Sequence, residues 1–129
     1  MRSILARDVM IRDVHTIAPD KKVAYACLVM LRHNIGALPV VDTNNAVVGI
    51  ITQRDLDLAG ADVSDLLVSD LMTRSLIKAK ETTPLRWIVE RMIKTGIQRI
   101  PVVDEKSKLH GLVTQTSVIK ASLIYDLLK

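Results

Sequence analysis

The feature that most narrows what this chain can become is an ungapped internal repeat. RDVMIR, beginning at Arg7, returns as SDLMTR, beginning 62 residues later at Ser69. In that register Asp8, Met10, Arg12, Met30 and Ile35 meet the identical Asp70, Met72, Arg74, Met92 and Ile97. Pro39-Val40-Val41-Asp42 meets Pro101-Val102-Val103-Asp104, and Gly49, Thr52 and Gln53 meet Gly111, Thr114 and Gln115. Chance similarity between two apolar segments does not keep Pro, Gly, Asp and Thr together in one register, so the chain is a duplication: residues 1–62 form one copy and 63–129 the other.

Each copy has the same local pattern. A short extended segment near His15 to Ile17 precedes Pro19-Asp20, where Asp20 is predicted to cap a helix reaching about His33, with Ala24, Cys27, Leu28 and Leu31 as its inner stripe. In the second copy Thr83 is the predicted N-cap, with Pro84 at the first helical position and Ile88, Met92 and Ile93 on the apolar face. These helices are expected to stop near Gly36 and Gly96. Two strand-like runs follow, Ala37 to Val41 and Ala46 to Thr52, joined by the turn-rich Asp42-Thr43-Asn44-Asn45. Their counterparts are Arg99 to Val103 and Leu109 to Thr114. A second helix starts near Gln53 and near Gln115, and a helical lead-in such as Ser64 to Leu71 precedes each copy. The expected fold class is therefore α/β, two βαββα repeats packed sheet to sheet with pseudo-two-fold symmetry. A unit of this size is marginal alone, burying only about 60% of its unfolded surface, and pairing the copies is the physical remedy. A cleft between two related units is then a natural ligand site.

Composition removes several function classes. No Phe and only Trp87, Tyr25 and Tyr125 leave few rings for stacking single-stranded bases. The 18 basic residues exceed the 14 acidic ones without forming a run, which is ordinary for a soluble protein. The single Cys27 and the scattered His15, His33 and His110 give no zinc or triad spacing, so no metal is expected. No phosphate-loop or dinucleotide fingerprint is present, and no paired acids or activated nucleophile can be assembled, so the chain is not expected to be an enzyme. No apolar run approaches the ~20 residues of a membrane span, and MRSILARDVM breaks its apolar stretch with Arg and Asp, unlike a signal peptide. A cytosolic protein without membrane attachment is expected.

The segment GIITQRD, Gly49 to Asp55, carries the candidate chemistry. Thr52 falls where a strand ends and a helix starts, so backbone N–H groups and the positive helix end favour an anion there. Asp55, three residues on, lies on the same side of the first turn, where a carboxylate can accept from both hydroxyls of a ribose. The same pair also has the spacing of a capping box, which stabilises the helix with no ligand present. The two roles can alternate with ligation.

RDVM and SDLM, IAPDKKV, GALPVVD and QRIPVVD, and above all GIITQRD, in this order and duplicated, resemble the CBS domain pair, or Bateman module, over nearly the whole chain. The resemblance implies a regulatory, energy-sensing module that binds AMP, ADP, ATP or S-adenosylmethionine between the two copies, commonly as a homodimer of pairs. Carried over residue by residue, it implies a first site of Gly36, Ala37, Ile50, Thr52, Arg54 and Asp55 facing Met72, Ile77, Ile97 and Gln98. A second site would take Arg99, Leu112, Thr114, Thr116 and Ser117 facing Met10, His15, Ile35 and Gly36. Ser117 stands where the ribose acid belongs, so the second site is expected to bind more weakly. Two other roles stay open: nucleic-acid binding through the basic surface, and a ligand-free interaction module for a separate enzyme or transporter.

Overall fold

The computed structural model describes residues 3–60 and 65–127. Ser64 and the boundary between residues 62 and 63 lie outside the described residues. The chain divides into two compact units, Val14–Leu76, and Met1–Asp13 with Ile77–Lys129. The fold is mixed helix and strand, with two small sheets generated by the tandem repeat.

The order of elements is α1 (Ala6–Val9), α2 (Val23–His33), β1 (Ala37–Val41), β2 (Val47–Thr52), α3 (Gln53–Ala59) and α4 (Val68–Leu71), then α5 (Leu85–Thr95), β3 (Arg99–Val103), β4 (Leu109–Thr114) and α6 (Gln115–Leu127). In the Val14–Leu76 unit β1 and β2 form an antiparallel hairpin in which Ala37 opposes Thr52 and Pro39 opposes Ile50. The predicted first strand is reduced to one residue, Ile17, bridged in parallel to Val40. Thr73 bridges the other side of the hairpin at Ile50, so each edge carries one bridging residue. The second unit repeats this plan: Ala79 bridges Val102, Ile11 bridges Leu112, and Arg99 opposes Thr114. Pro39 and Pro101 take no part in their hairpins as donors, yet their carbonyls accept from Ile17 and Ala79 respectively.

The lead-in helices exchange. α4 and Thr73, which precede the second copy in sequence, complete the first hairpin, while α1 and Ile11 complete the second. One hydrogen bond of each unit shows how closely the copies correspond: Val23 N–H donates to Leu66 O, and Leu85 N–H to Ile4 O, at 2.9 and 2.8 Å. The cores follow from this exchange. Leu38, Val40 and Ile51 pack with Val68 and Met72 of the lead-in in one unit, and Ile100, Val102 and Val113 with Ala6, Val9 and Met10 in the other. Gly49 and Gly111 are small because the lead-in passes over them; a Cβ on Gly111 would sit 2.8 Å from the Ile11 carbonyl oxygen.

Several details differ from the sequence expectations. α2 begins at Val23 with Lys22 as its N-cap, not at a cap formed by Asp20, because residues 18–21 are held in a turn by Lys21 N–H on Ala18 O. Tying Val23 to Leu66 then turns Val23, Ala26 and Met30 inward. The expected stripe is displaced: Cys27 is only half-buried and Ala24 is exposed, while Leu28 and Leu31 are 47% and 79% exposed. The helix does end at His33 as expected, with Asn34 in the left-handed region at φ 52° as its C-cap and Ile35 N–H reaching back to Met30 O. In the second copy Gly96 fills that role at φ 75°. Thr83 does not cap α5; its hydroxyl accepts from Lys80 N–H at 2.8 Å, and Pro84 itself is the N-cap. Of the expected face on α5, Ile88 is fully buried and Met92 partly so, whereas Ile93 is 77% exposed.

Candidate functional site

In the Val14–Leu76 unit the strand–helix junction gathers much of the expected site. Pairing of Ala37 with Thr52 brings the start of β1 beside the end of β2, and Gln53 N–H donates to Gly36 O at 2.9 Å. Gly36, Ala37, Thr52, Arg54 and Asp55 therefore share one end of the hairpin, with Arg54 exposed and Asp55 half-buried.

The Thr52–Asp55 pair is built as a capping box. Asp55 Oδ2 accepts from Thr52 N–H at 2.8 Å and from the Thr52 hydroxyl at 2.9 Å, while Asp55 N–H donates to Thr52 Oγ1 at 3.2 Å. All of the carboxylate's bonds fall on one oxygen; Oδ1 has no partner among the described residues. An ionised carboxylate offers about four acceptor positions, so the cap and a sugar diol can share this group.

The second junction has the same frame with a different end group. Gln115 N–H donates to Gln98 O at 2.9 Å, and Ser117 replaces the acid. Its hydroxyl accepts from Thr114 N–H at 2.9 Å and donates to Thr114 O at 2.9 Å, so its single proton is already spent. A 410 Å³ cavity lies beside it, lined by Ile11, Lys120, Ile124 and Tyr125. Sequence reasoning missed Lys120, Ala121 and Ile124, and their 3–4 residue spacing from Ser117 along α6 is the signal that could have found this face.

The other expected residues divide between the two units. Met72 and Ile50, 8% and 7% exposed, belong to the Val14–Leu76 unit, with Met72 in its core. Met10 and Leu112 hold the corresponding positions in the other unit at 8% and 6%. Ile77 and Ile97 are half-buried against that unit's core, Arg99 is half-buried at the start of β3, and Gln98 and Thr116 are exposed. His15 and Ile35 fall in the Val14–Leu76 unit. There the His15 ring stacks on His33 with centroids 3.7 Å apart, a pairing that sequence separation concealed. Ile35 and Gly36 also line a 390 Å³ cavity between α2 and α3, together with Asn34, Gln53, Leu56 and Asp57, none of which was expected at either site. Among the described residues no group of His, Cys, Asp or Glu is placed to hold a metal, and no helix is long and apolar enough to cross a membrane.

A duplicated helix–hairpin–helix unit whose first copy carries a Thr–Asp pair at the helix start and whose second carries Thr–Ser defines a tandem-repeat α/β module. The CBS domain family matches residues 6–61 and again 68–124, and the chain belongs to that family. It is 36% identical over 115 residues to inosine-5'-monophosphate dehydrogenase of Methanocaldococcus jannaschii, an alignment covering 89% of this chain but 23% of that enzyme. Among solved structures, the CBS domain pair of protein MJ0100 in complex with 5'-methylthioadenosine and S-adenosyl-L-methionine has a TM-score of 0.85 at 30% identity, covering 99% of this chain and all of that one. CBSX2 in complex with AMP has a TM-score of 0.87 at 28% identity, covering 95% and 98%.

Proposed function

We propose that this chain is a non-catalytic regulatory module whose signal is an adenosyl ligand, either AMP, ADP, ATP or S-adenosylmethionine. The reading is carried by Asp55, a half-buried carboxylate whose Oδ2 anchors the helix start while Oδ1 stays available to a ribose diol. Support comes from family membership over both copies and from the adenosyl compounds bound by MJ0100 and CBSX2. The dehydrogenase similarity lends no activity, since more than three quarters of that enzyme lies outside the matched region.

The site at Asp55 binds more tightly than the one at Ser117, because a hydroxyl with its proton committed to Thr114 O cannot replace a two-oxygen acceptor. The module works as a homodimer of CBS pairs and passes its state to a separate enzyme or transporter. Leu31 and Ile93 occupy equivalent positions in the two copies and are 79% and 77% exposed, which supports a second copy as what covers them.

A thermal-shift panel of AMP, ADP, ATP, S-adenosylmethionine and NAD tests the reading. A ligand at a hundred times its Kd stabilises by about 2.7 kcal/mol, so at least one adenosyl compound raises the unfolding temperature by several degrees. No shift with any of them would leave a ligand-free interaction module as the better account. Tight RNA or DNA binding that collapses with salt and ignores nucleotides would favour the nucleic-acid role.

A further inference from the structure

At the opposite end of β4 from Thr114 stands a group that the ligand site does not use. His110 Nδ1 lies 2.7 Å from Glu81 Oε2, and Nε2 lies 3.1 Å from Asp104 Oδ2. A neutral imidazole has one N–H and can donate to only one of these carboxylates; only the imidazolium satisfies both. Asp104 is itself the keystone of the β3–β4 turn, its Oδ1 accepting from the amides of Lys106 and Lys108 at 2.9 and 3.0 Å. Glu81 belongs to the segment that runs from the Ala79 bridge to the start of α5. That segment is also held from α1, by Arg7 N–H on Glu81 O and Ala6 N–H on Thr83 O.

We propose that His110 is a proton-operated clamp present only in the second repeat: its imidazolium ties the β3–β4 turn to the segment entering α5, and loss of the proton releases one arm. The first copy has no such device, since Val48 stands at the His110 position and Pro19 at the Glu81 position. The surroundings do not cancel it. Lys80 and Glu81 from the segment before α5, and Asp104, Glu105, Lys106 and Lys108 from the turn, line one 490 Å³ cavity with His110. α1 adds Arg7, and Arg12 turns back to the Arg7 carbonyl.

Titration follows from the geometry. The hydrogen bonds to Glu81 and then Asp104 raise the His110 pKa, outweighing a smaller desolvation effect. At Asp104 desolvation acts upward, but bonds from the Lys108 amide, the His110 ring and the Lys106 amide, with the imidazolium charge, hold its carboxyl below the ordinary value. A raised histidine pKa contributes stability that is complete below the unfolded value of about 6.5 and lost as pH climbs through the folded one. A depressed aspartate pKa contributes above about 3.9 and fails as pH falls through the folded value. The clamp therefore contributes in full between about pH 4 and 6.5, and it opens on the alkaline side as pH climbs through the raised value of His110 in the folded protein.

Hydrogen exchange on the full chain at pH 5.5 and 8, corrected for intrinsic rates, tests this. Amides of residues 80–83 and 105–108 should open about two- to fivefold more readily at the higher pH, the span that exposed ion pairs usually cover. The amides of residues 42–46 in the first copy should show no such change. H110V, which copies the first repeat's residue, should abolish the pH dependence. A direct NMR titration of the His110 ring is independent of any variant and should give a pKa above the ordinary histidine value. A ring pKa at or below that value, or an unchanged pH response in H110V, would overturn the clamp.

Discussion

Replacing Asp55 by Ala separates the two duties assigned to that residue. The substitution removes both bonds to Oδ2, from the Thr52 amide at 2.8 Å and the Thr52 hydroxyl at 2.9 Å. Asp55 is only half-buried, so water can reach the abandoned amide, and the loss of stability should be about 1 kcal/mol, typical of a lost cap. The loss in binding should be larger. Hydrogen bonds to a charged group are worth about 1.5 to 3 kcal/mol, so affinity should fall about ten- to a hundredfold. The structure supplies its own control: Asp70 makes the same reach-back at the start of α4, accepting from Leu67 N–H at 2.8 Å, and has no proposed ligand role. D70A should therefore lose comparable stability in urea unfolding and leave calorimetric affinity for AMP and S-adenosylmethionine unchanged. Equal losses of affinity in D55A and D70A, or none in D55A, would show that Asp55 is only a cap.

Three further outcomes are expected. S117A should cost about 1 kcal/mol by unsealing the start of α6, with little effect on affinity at the Asp55 site, whereas S117D should raise binding stoichiometry in calorimetry; an unchanged isotherm for S117D would refute the asymmetry. G111A should destabilise by about 1 to 3 kcal/mol in urea unfolding, because a Cβ there would lie 2.8 Å from Ile11 O and 2.7 Å from Met10 Sδ, and a variant as stable as the parent would mean the lead-in is not packed there. L31D with I93D should shift sedimentation velocity from dimer to monomer and remove the concentration dependence of the unfolding midpoint, while the monomer still folds, since both side chains are exposed within a single chain; a monomeric parent would remove the dimer from the proposal.

How much of this was legible in sequence depended on whether the deciding interaction was local. β1, β3 and β4 have the predicted bounds, and α3 and α6 begin at the predicted Gln53 and Gln115, because strand runs and junction residues carry their own signals. The inner stripe of α2 was misplaced because its rotation is fixed by a bond from Val23 to Leu66, more than forty residues away, so the apolar Leu28 and Leu31 face outward despite a plausible helical spacing. Thr83 and Asp20 carry cap chemistry but spend their neighbourhoods on turns, which local pattern does not distinguish from a cap. The exchange of lead-in helices left no sequence mark beyond Gly49 and Gly111, whose missing side chains make room for Met72 and Met10.

The same comparison sharpens what the sequence could claim about the ligand acid. Among the described residues, four helix starts use a side chain three residues in to hold the N-cap amide: Asp8 for Leu5, Asp55 for Thr52, Asp70 for Leu67 and Ser117 for Thr114. Spacing alone therefore marks helix starts, not a ribose site, and an acid at this position is weak evidence for a ligand. What distinguishes Asp55 is its setting. Its helix follows directly on a strand, its partner is a hydroxyl residue that bonds the same oxygen, and Gly36 and Ala37 adjoin it at the head of β1. Asp8 and Asp70 hold the amides of leucine caps at the starts of short lead-in helices, and among the described residues neither carboxylate accepts from a side-chain hydroxyl. The duplicated frame makes this contrast available within one molecule, since the fourth start keeps the strand and the threonine while exchanging the acid for a hydroxyl, with Thr116 in place of Arg54 and Gln98-Arg99 in place of Gly36-Ala37.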